Sequence, residues 1–137
     1  MYTNHFTGPM AYVDIVTALA LIQFFGFAFL VGKARAKFGV KAPAVTGHEM
    51  FERAFRVQMN TLELLIIFIP GLYLAAKYWS PYLAASVGAV YLIGRIIYAI
   101  AYVSNPAGRG FGFALSLGPS LLLIGAGLIG AISAALR

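Results

Sequence analysis

Four apolar stretches, residues 11–31, 50–76, 81–103 and 111–136, take up most of this 137-residue chain. Each is long enough to cross a hydrocarbon core of roughly 30 Å, which takes about 20 helical residues. The chain is 61% hydrophobic and 10% charged, with a mean hydropathy of +0.87, well outside the range of soluble globular domains. The expected fold is therefore all-α and integral to the membrane, a bundle of four transmembrane helices forming one domain over residues 1–137. The first stretch reads as a span and not as a signal peptide, because it is too long and no Lys or Arg precedes it.

The formal charge of +6 is distributed unevenly. Lys33, Arg35, Lys37 and Lys41 crowd the segment read as the first loop, and Arg109 closes the third. The second loop carries Lys77 and the C-terminus Arg137. By the positive-inside rule, loops one and three face the cytoplasm and both termini lie on the opposite side, in a bacterial inner membrane or the endoplasmic reticulum. Basic residues at the ends of apolar spans do not make a nucleic-acid surface; Lys33, Lys37 and Lys41 suit anchoring to anionic membrane lipid. The chain has no cysteine, so disulfides, thiolate–metal sites and a cysteine nucleophile are excluded, and any thiol chemistry belongs to a substrate. The reading calls for no metal.

The polar residues inside the spans fall on particular faces. Arg56, Asn60 and Glu63 are spaced i, i+4 and i+7 and share one side of the second helix. Arg95, Tyr98 and Tyr102 are spaced i, i+3 and i+7 on the third. Charged groups within a bilayer are costly and normally face a bundle interior or a wet cavity, where they mark a site. With Arg35 ending the first helix and Arg109 beginning the fourth after the break at Asn105-Pro106, these side chains reach similar depths on the cytoplasmic side.

Plainer readings stand beside this one. Tyr98 and Tyr102 fit an interfacial aromatic belt, as Tyr78, Trp79 and Tyr82 do at the outer face. Arg95 and Glu63 could form a buried ion pair, and Glu52 and Arg56 a local one. Arg53 reads as a surface residue reaching up to the interface. Asp14 and a solvated His48 receive no role. Pro70 and Pro119 are expected to kink their helices, and Gly125, Gly127 and Gly130 to allow close helix packing.

The run Phe51-Glu-Arg-Ala-Phe-Arg-Val-Gln-Met-Asn-Thr-Leu-Glu63, followed by Arg95-x-x-Tyr98-x-x-x-Tyr102 and then Arg109, resembles the MAPEG family of membrane-associated proteins in eicosanoid and glutathione metabolism. The resemblance covers nearly the whole chain. It implies a homotrimer of four-helix protomers, with glutathione held as co-substrate between neighbouring subunits near the cytoplasmic face. Position by position, it assigns glutathione contacts to Arg35, Arg56, Gln58, Asn60, Glu63, Tyr98 and Tyr102. Arg95 joins them by its place on the face of Tyr98 and Tyr102. The resemblance also assigns thiol activation to Arg109, with Tyr102 as a rival or assisting donor. Leu64 and Ala36 depart from the leukotriene-synthase-like branch, which has a tyrosine and a second arginine there; one hydrogen bond and some positive charge are thereby missing.

The residue types suit that chemistry. Guanidinium groups bind carboxylates bidentately, Glu63 matches an ammonium group, and a cation beside a thiol lowers its pKa. The implied reaction is a membrane glutathione transferase attacking lipophilic electrophiles that arrive from the bilayer along apolar faces of helices one and four. Reduction of lipid hydroperoxides is a second reaction open to the same thiol. Two alternatives stay open, a non-catalytic lipid-presenting protein of the same family and a small channel or transporter subunit.

Overall fold

The computed structural model describes residues 8–137. Four helices run up and down, α1 (Met10–Phe38), α2 (Glu49–Tyr78), α3 (Pro81–Ser104) and α4 (Gly110–Ala135), with a short 3-10 turn Pro106–Gly108 before the last. All four are long and apolar enough to cross a membrane. No strand occurs among the described residues.

The helix ends follow from local chemistry. The α1 helix stops at Gly39, which takes the left-handed conformation (φ 70°) that favours glycine. His48 begins α2, its imidazole Nδ1 accepting from Met50 N at 3.1 Å while its ring stacks on Phe38 at 4.1 Å. Ser80 caps α3 by accepting from Leu83 N at 3.4 Å, and Pro81 follows at the first helical position, where its missing N–H costs nothing. Asn105 then ends α3, and its carboxamide oxygen accepts from Ala107 N at 3.2 Å, turning the chain into α4. Helices α2 and α4 continue through Pro70 and Pro119.

The α1 helix runs seven residues past the expected end of its span, at residue 31. Lys33, Arg35 and Lys37 therefore sit on its last two turns, and of the four basic residues only Lys41 lies in the connecting loop. Helices α2 and α3 form the centre, while α1 and α4 pack on opposite sides of that pair. The apolar faces of helices one and four therefore do not meet within one chain.

The main core joins Val13, Val16 and Ala20 of α1 to Leu64, Leu65, Phe68 and Leu72 of α2, Tyr91 of α3 and Leu123 of α4. The rings of Phe68 and Tyr91 stack at 3.7 Å. Elsewhere the packing depends on missing side chains. A Cβ on Gly112 would fall on the backbone N and Cα of Tyr98, and one on Gly94 would meet the backbone of Leu115, so α3 and α4 touch main chain to main chain. Gly127 and Gly130 serve the same purpose against Leu74 and Tyr78, but Gly125 faces open space and does not take part. Large apolar side chains such as Phe25, Ile66 and Leu83 are exposed, giving the outward apolar surface of a membrane protein.

Polar ties fasten both ends. Near the start of α1, Tyr73 Oη donates to Asp14 at 2.8 Å and Trp79 Nε1 to the carbonyl of Ala126 at 2.6 Å. At the other end Arg53 does not rise to the surface as expected. Its Nη1 donates to the carbonyls of Val103 and Ser104 at 3.0 and 3.4 Å, satisfying two of the free carbonyls at the end of α3. Glu49 holds the same guanidinium at 2.5 Å. The expected Glu52–Arg56 pair is absent, and Glu49–Arg53 is the ion pair found among the described residues.

Candidate functional site

A cavity of about 660 Å³ lies where α2, α3 and the start of α4 converge. Its wall is formed by Asn60, Glu63, Leu64 and Ile67 from α2 and by Arg95 and Tyr98 from α3. Ala107, Arg109, Gly110 and Phe113 complete it from the turn and α4. Five of the nine residues singled out from the sequence thus meet at one place, and it opens at the surface of the chain through the exposed Glu63, Arg109 and Phe113.

Side-chain contacts hold the buried side of this cavity together. Tyr98 is 1% exposed, and its hydroxyl accepts from Asn60 Nδ2 at 2.6 Å. The guanidinium of Arg95 lies 4.0 Å from the Tyr98 ring centroid, a cation–π contact that braces the phenol from behind. Tyr102 leans against Tyr98 with ring centroids 5.6 Å apart, and the Arg109 guanidinium lies 5.7 Å from the Tyr102 ring. A hydrogen bond from its Nη1 to the Pro106 carbonyl at 2.8 Å ties Arg109 to its own turn. A guanidinium has five N–H donors, so most remain free for a ligand.

Arg95 is placed differently from the sequence reading that paired it with Glu63. It is 1% exposed, with Nη1 donating to Ser116 Oγ at 3.2 Å and Nη2 to Thr61 Oγ1 at 2.8 Å. No Glu63–Arg95 ion pair forms. Thr61 and Glu63 are two residues apart and so project about 200° apart around α2, one inward and the other outward. Each hydroxyl also donates to a backbone carbonyl of its own helix, Thr61 to Val57 at 2.7 Å and Ser116 to Gly112 at 2.8 Å. The arginine is therefore shielded within a single chain by α2, α3 and α4 together, and its Nε remains buried without a partner. Thr61 and Ser116 were not singled out from the sequence. Their signal is the arginine itself, which in an apolar bundle requires acceptors on the neighbouring helices.

Arg56, on the same face of α2 as Asn60 and Glu63, is exposed one turn nearer the helix start and does not line the cavity. Gln58 is partly buried and also lies outside it. Arg35 is drawn elsewhere in the chain. Its Nη1 donates to the carbonyl of Ala44 at 2.6 Å, and its guanidinium sits 4.7 Å from the ring of buried Phe51.

This arrangement can bind a small zwitterionic or anionic molecule through fixed donors, with one outward carboxylate for a cationic group. Comparison with known proteins identifies the family. A family model described as the MAPEG family matches residues 13–129. An uncharacterized protein of Synechocystis is 51% identical over 113 residues, covering 82% of each chain. The human protein named microsomal glutathione S-transferase 2 is 44% identical over 115 residues, 84% of this chain and 78% of the relative. Bovine leukotriene C4 synthase is 33% identical over 100 residues, 73% of this chain and 67% of its own. With four apolar helices and a match across nearly its whole length, this chain is an integral membrane protein of the MAPEG family.

Proposed function

We propose that the protein is a membrane glutathione transferase that binds glutathione in the cavity between α2, α3 and α4 and presents its thiolate to lipophilic electrophiles. The observation that carries this reading is the meeting of Asn60, Glu63, Arg95, Tyr98 and Arg109 around one surface-opening cavity in a chain similar to proteins named for that activity. Glutathione supplies two carboxylates, an ammonium group and a thiol. Glu63 takes the ammonium group, Asn60 and Tyr98 orient the peptide, and Arg56 at the rim takes a carboxylate. Arg109 faces the sulfur and holds it as thiolate, with Tyr102 beside it.

In the reaction the thiol proton leaves to solvent, the sulfur lone pair forms a C–S bond, and the leaving group departs with its electron pair. Holding both reactants at one interface removes much of the entropic barrier to their meeting. The same thiolate could attack a lipid hydroperoxide, releasing the alcohol, with a second glutathione then giving the disulfide and water.

The protomer leaves Arg35 and Gln58 away from the cavity, which supports a site completed by a neighbouring subunit. We propose a homotrimer in which these two residues reach the glutathione of the adjacent protomer, with the site towards the cytoplasm. Native mass spectrometry should give a trimer; a fully active monomer would remove this part of the reading.

Mixing glutathione with the purified protein should produce thiolate absorbance near neutral pH, and a chromogenic aryl halide should be conjugated. Asn60→Ala and Glu63→Ala should each weaken glutathione binding by about 1–3 kcal/mol through loss of a polar or charge-assisted contact. Lys41→Ala should change it little. Binding that depends on Lys41 and ignores Asn60 and Glu63 would place the site elsewhere, and no thiolate signal with no conjugation would leave the lipid-presenting alternative.

A further inference from the structure

A second cleft, of about 770 Å³, opens between α1 and α3, with α2 as its floor. It lies on the next face of α3 from the glutathione cavity, since Ile96, Ala99 and Val103 line it while Arg95 and Tyr98 line the other. Its floor and walls are apolar, with Phe27 and Val57 buried at 8% and 3% exposure. Ala54 and Ala99 have side chains too small to fill the gap between the helices. The exposed Ile96 and Ile100 carry this apolar surface outward, towards the side a bilayer would cover.

The mouth of this cleft is basic. Lys33 and Lys37 are i and i+4 on the last turns of α1 and both line it. Among the described residues neither has a carboxylate within ion-pair distance, and the ion pair present there joins Glu49 to Arg53. The helix-end position of the lysines is favourable to cations, which offsets part of their charge. Two ammonium groups nevertheless flank one apolar slot at the end of the span, where phospholipid headgroups lie.

We propose that this cleft binds one molecule of an anionic phospholipid, its phosphate between Lys33 and Lys37 and one acyl chain wedged between α1 and α3. Charge complementarity chooses the headgroup, the apolar walls choose the chain, and the depth of the lysines at the helix end fits an occupant that is part of the bilayer. The site does not depend on the glutathione reading, because none of its residues lines the other cavity.

The full-length protein, delipidated in mild detergent, would be titrated with phosphatidylglycerol, with phosphatidylcholine of the same chains, and with oleate, and bound lipid read by native mass spectrometry. Phosphatidylglycerol should bind roughly tenfold to thirtyfold more tightly than phosphatidylcholine, whose choline cation cancels the phosphate charge and is repelled by the two lysines, at about 1 kcal/mol for each lysine facing a net anionic headgroup. That preference should vanish in Lys33→Gln/Lys37→Gln and persist in Lys41→Gln. Ala99→Trp, which fills the slot, should abolish retention of both phospholipids, with unchanged thermal unfolding showing that the bundle is intact. If Ala99→Trp unfolds the protein, Ala54→Leu provides the same test from the α2 side. A preference that survives the double lysine change, or retention that ignores the filled slot, would reduce the effect to general surface attraction and overturn the site. Oleate binding as tightly as phosphatidylglycerol, with the same dependence on both lysines, would also overturn it in favour of a free fatty acid.

Discussion

Arg109→Ala should bind glutathione almost as well as the parent protein while losing most of its activity at neutral pH. In the proposed mechanism the guanidinium at the head of α4 only sets how much of the bound sulfur is ionised. A free thiol has a pKa of about 8.5, and a neighbouring cation lowers it by one or more units. If the bound value is about two units lower, removing the cation cuts the thiolate present at pH 7 roughly twentyfold, and the rate with it. The sign of the pH dependence follows. Below the lowered pKa both proteins carry little thiolate, and near neutrality the parent is far ahead. Above about pH 9 the two converge, because both sulfurs are then ionised. Thiolate absorbance against pH, measured beside turnover, checks this directly. Loss of glutathione affinity with an unshifted thiol would make Arg109 a clamp for a carboxylate, and loss of the signal in Tyr102→Phe alone would move activation to the phenol.

Gly112→Ala should be the most damaging methyl group that can be added to the bundle. The new Cβ would meet the backbone of Tyr98 and not the movable end of a side chain, so no rotamer change relieves it. Helix α4 must then move away from α3. That separation disturbs Ser116, one turn further on and 3.2 Å from Arg95, and shifts Arg109, three residues before Gly112. Overpacking typically costs 1–3 kcal/mol and more where the backbone must yield, so a loss of about 3 kcal/mol or greater is expected. Gly125→Ala is the internal control, since nothing lies within 4 Å of its added carbon. That change should be neutral or stabilise by up to about 1 kcal/mol, the usual helix preference for alanine over glycine. Thermal unfolding in detergent distinguishes the two, and equal stability would mean that α3 and α4 are less tightly apposed than this structure has them.

Four long apolar helices are legible in the sequence because hydropathy and helix length are coupled by the thickness of a bilayer. The polar face of α2 is equally legible, since Asn60 and Glu63 need only helical periodicity to be placed together. The end of α1 is missed for a physical reason. Lys33, Arg35 and Lys37 end the apolar run but are good helix formers, so the backbone stays helical beyond the lipid-compatible segment until Gly39 stops it. The partners of Arg95 are missed because charge suggests Glu63, whereas the inward-facing oxygen on α2 belongs to Thr61. Arg53 escapes for a related reason. Exposed spacing suggests a surface cation, but the carbonyl ends of α3 lie within its reach.

The placement of Arg95 also bears on how the chain enters the membrane during synthesis. One of its two hydroxyl partners, Thr61, lies on a helix made before it, and the other, Ser116, on a helix made after it. A newly made α3 facing lipid by itself would expose a guanidinium near mid-helix, at a cost of about 2.5–3.5 kcal/mol on insertion scales. Beside α2 it gains one acceptor, and only α4 supplies the second and seals the charge from lipid. Helices α3 and α4 are therefore better inserted as a pair, and a chain cut between them at Asn105 would leave α3 poorly held in the bilayer.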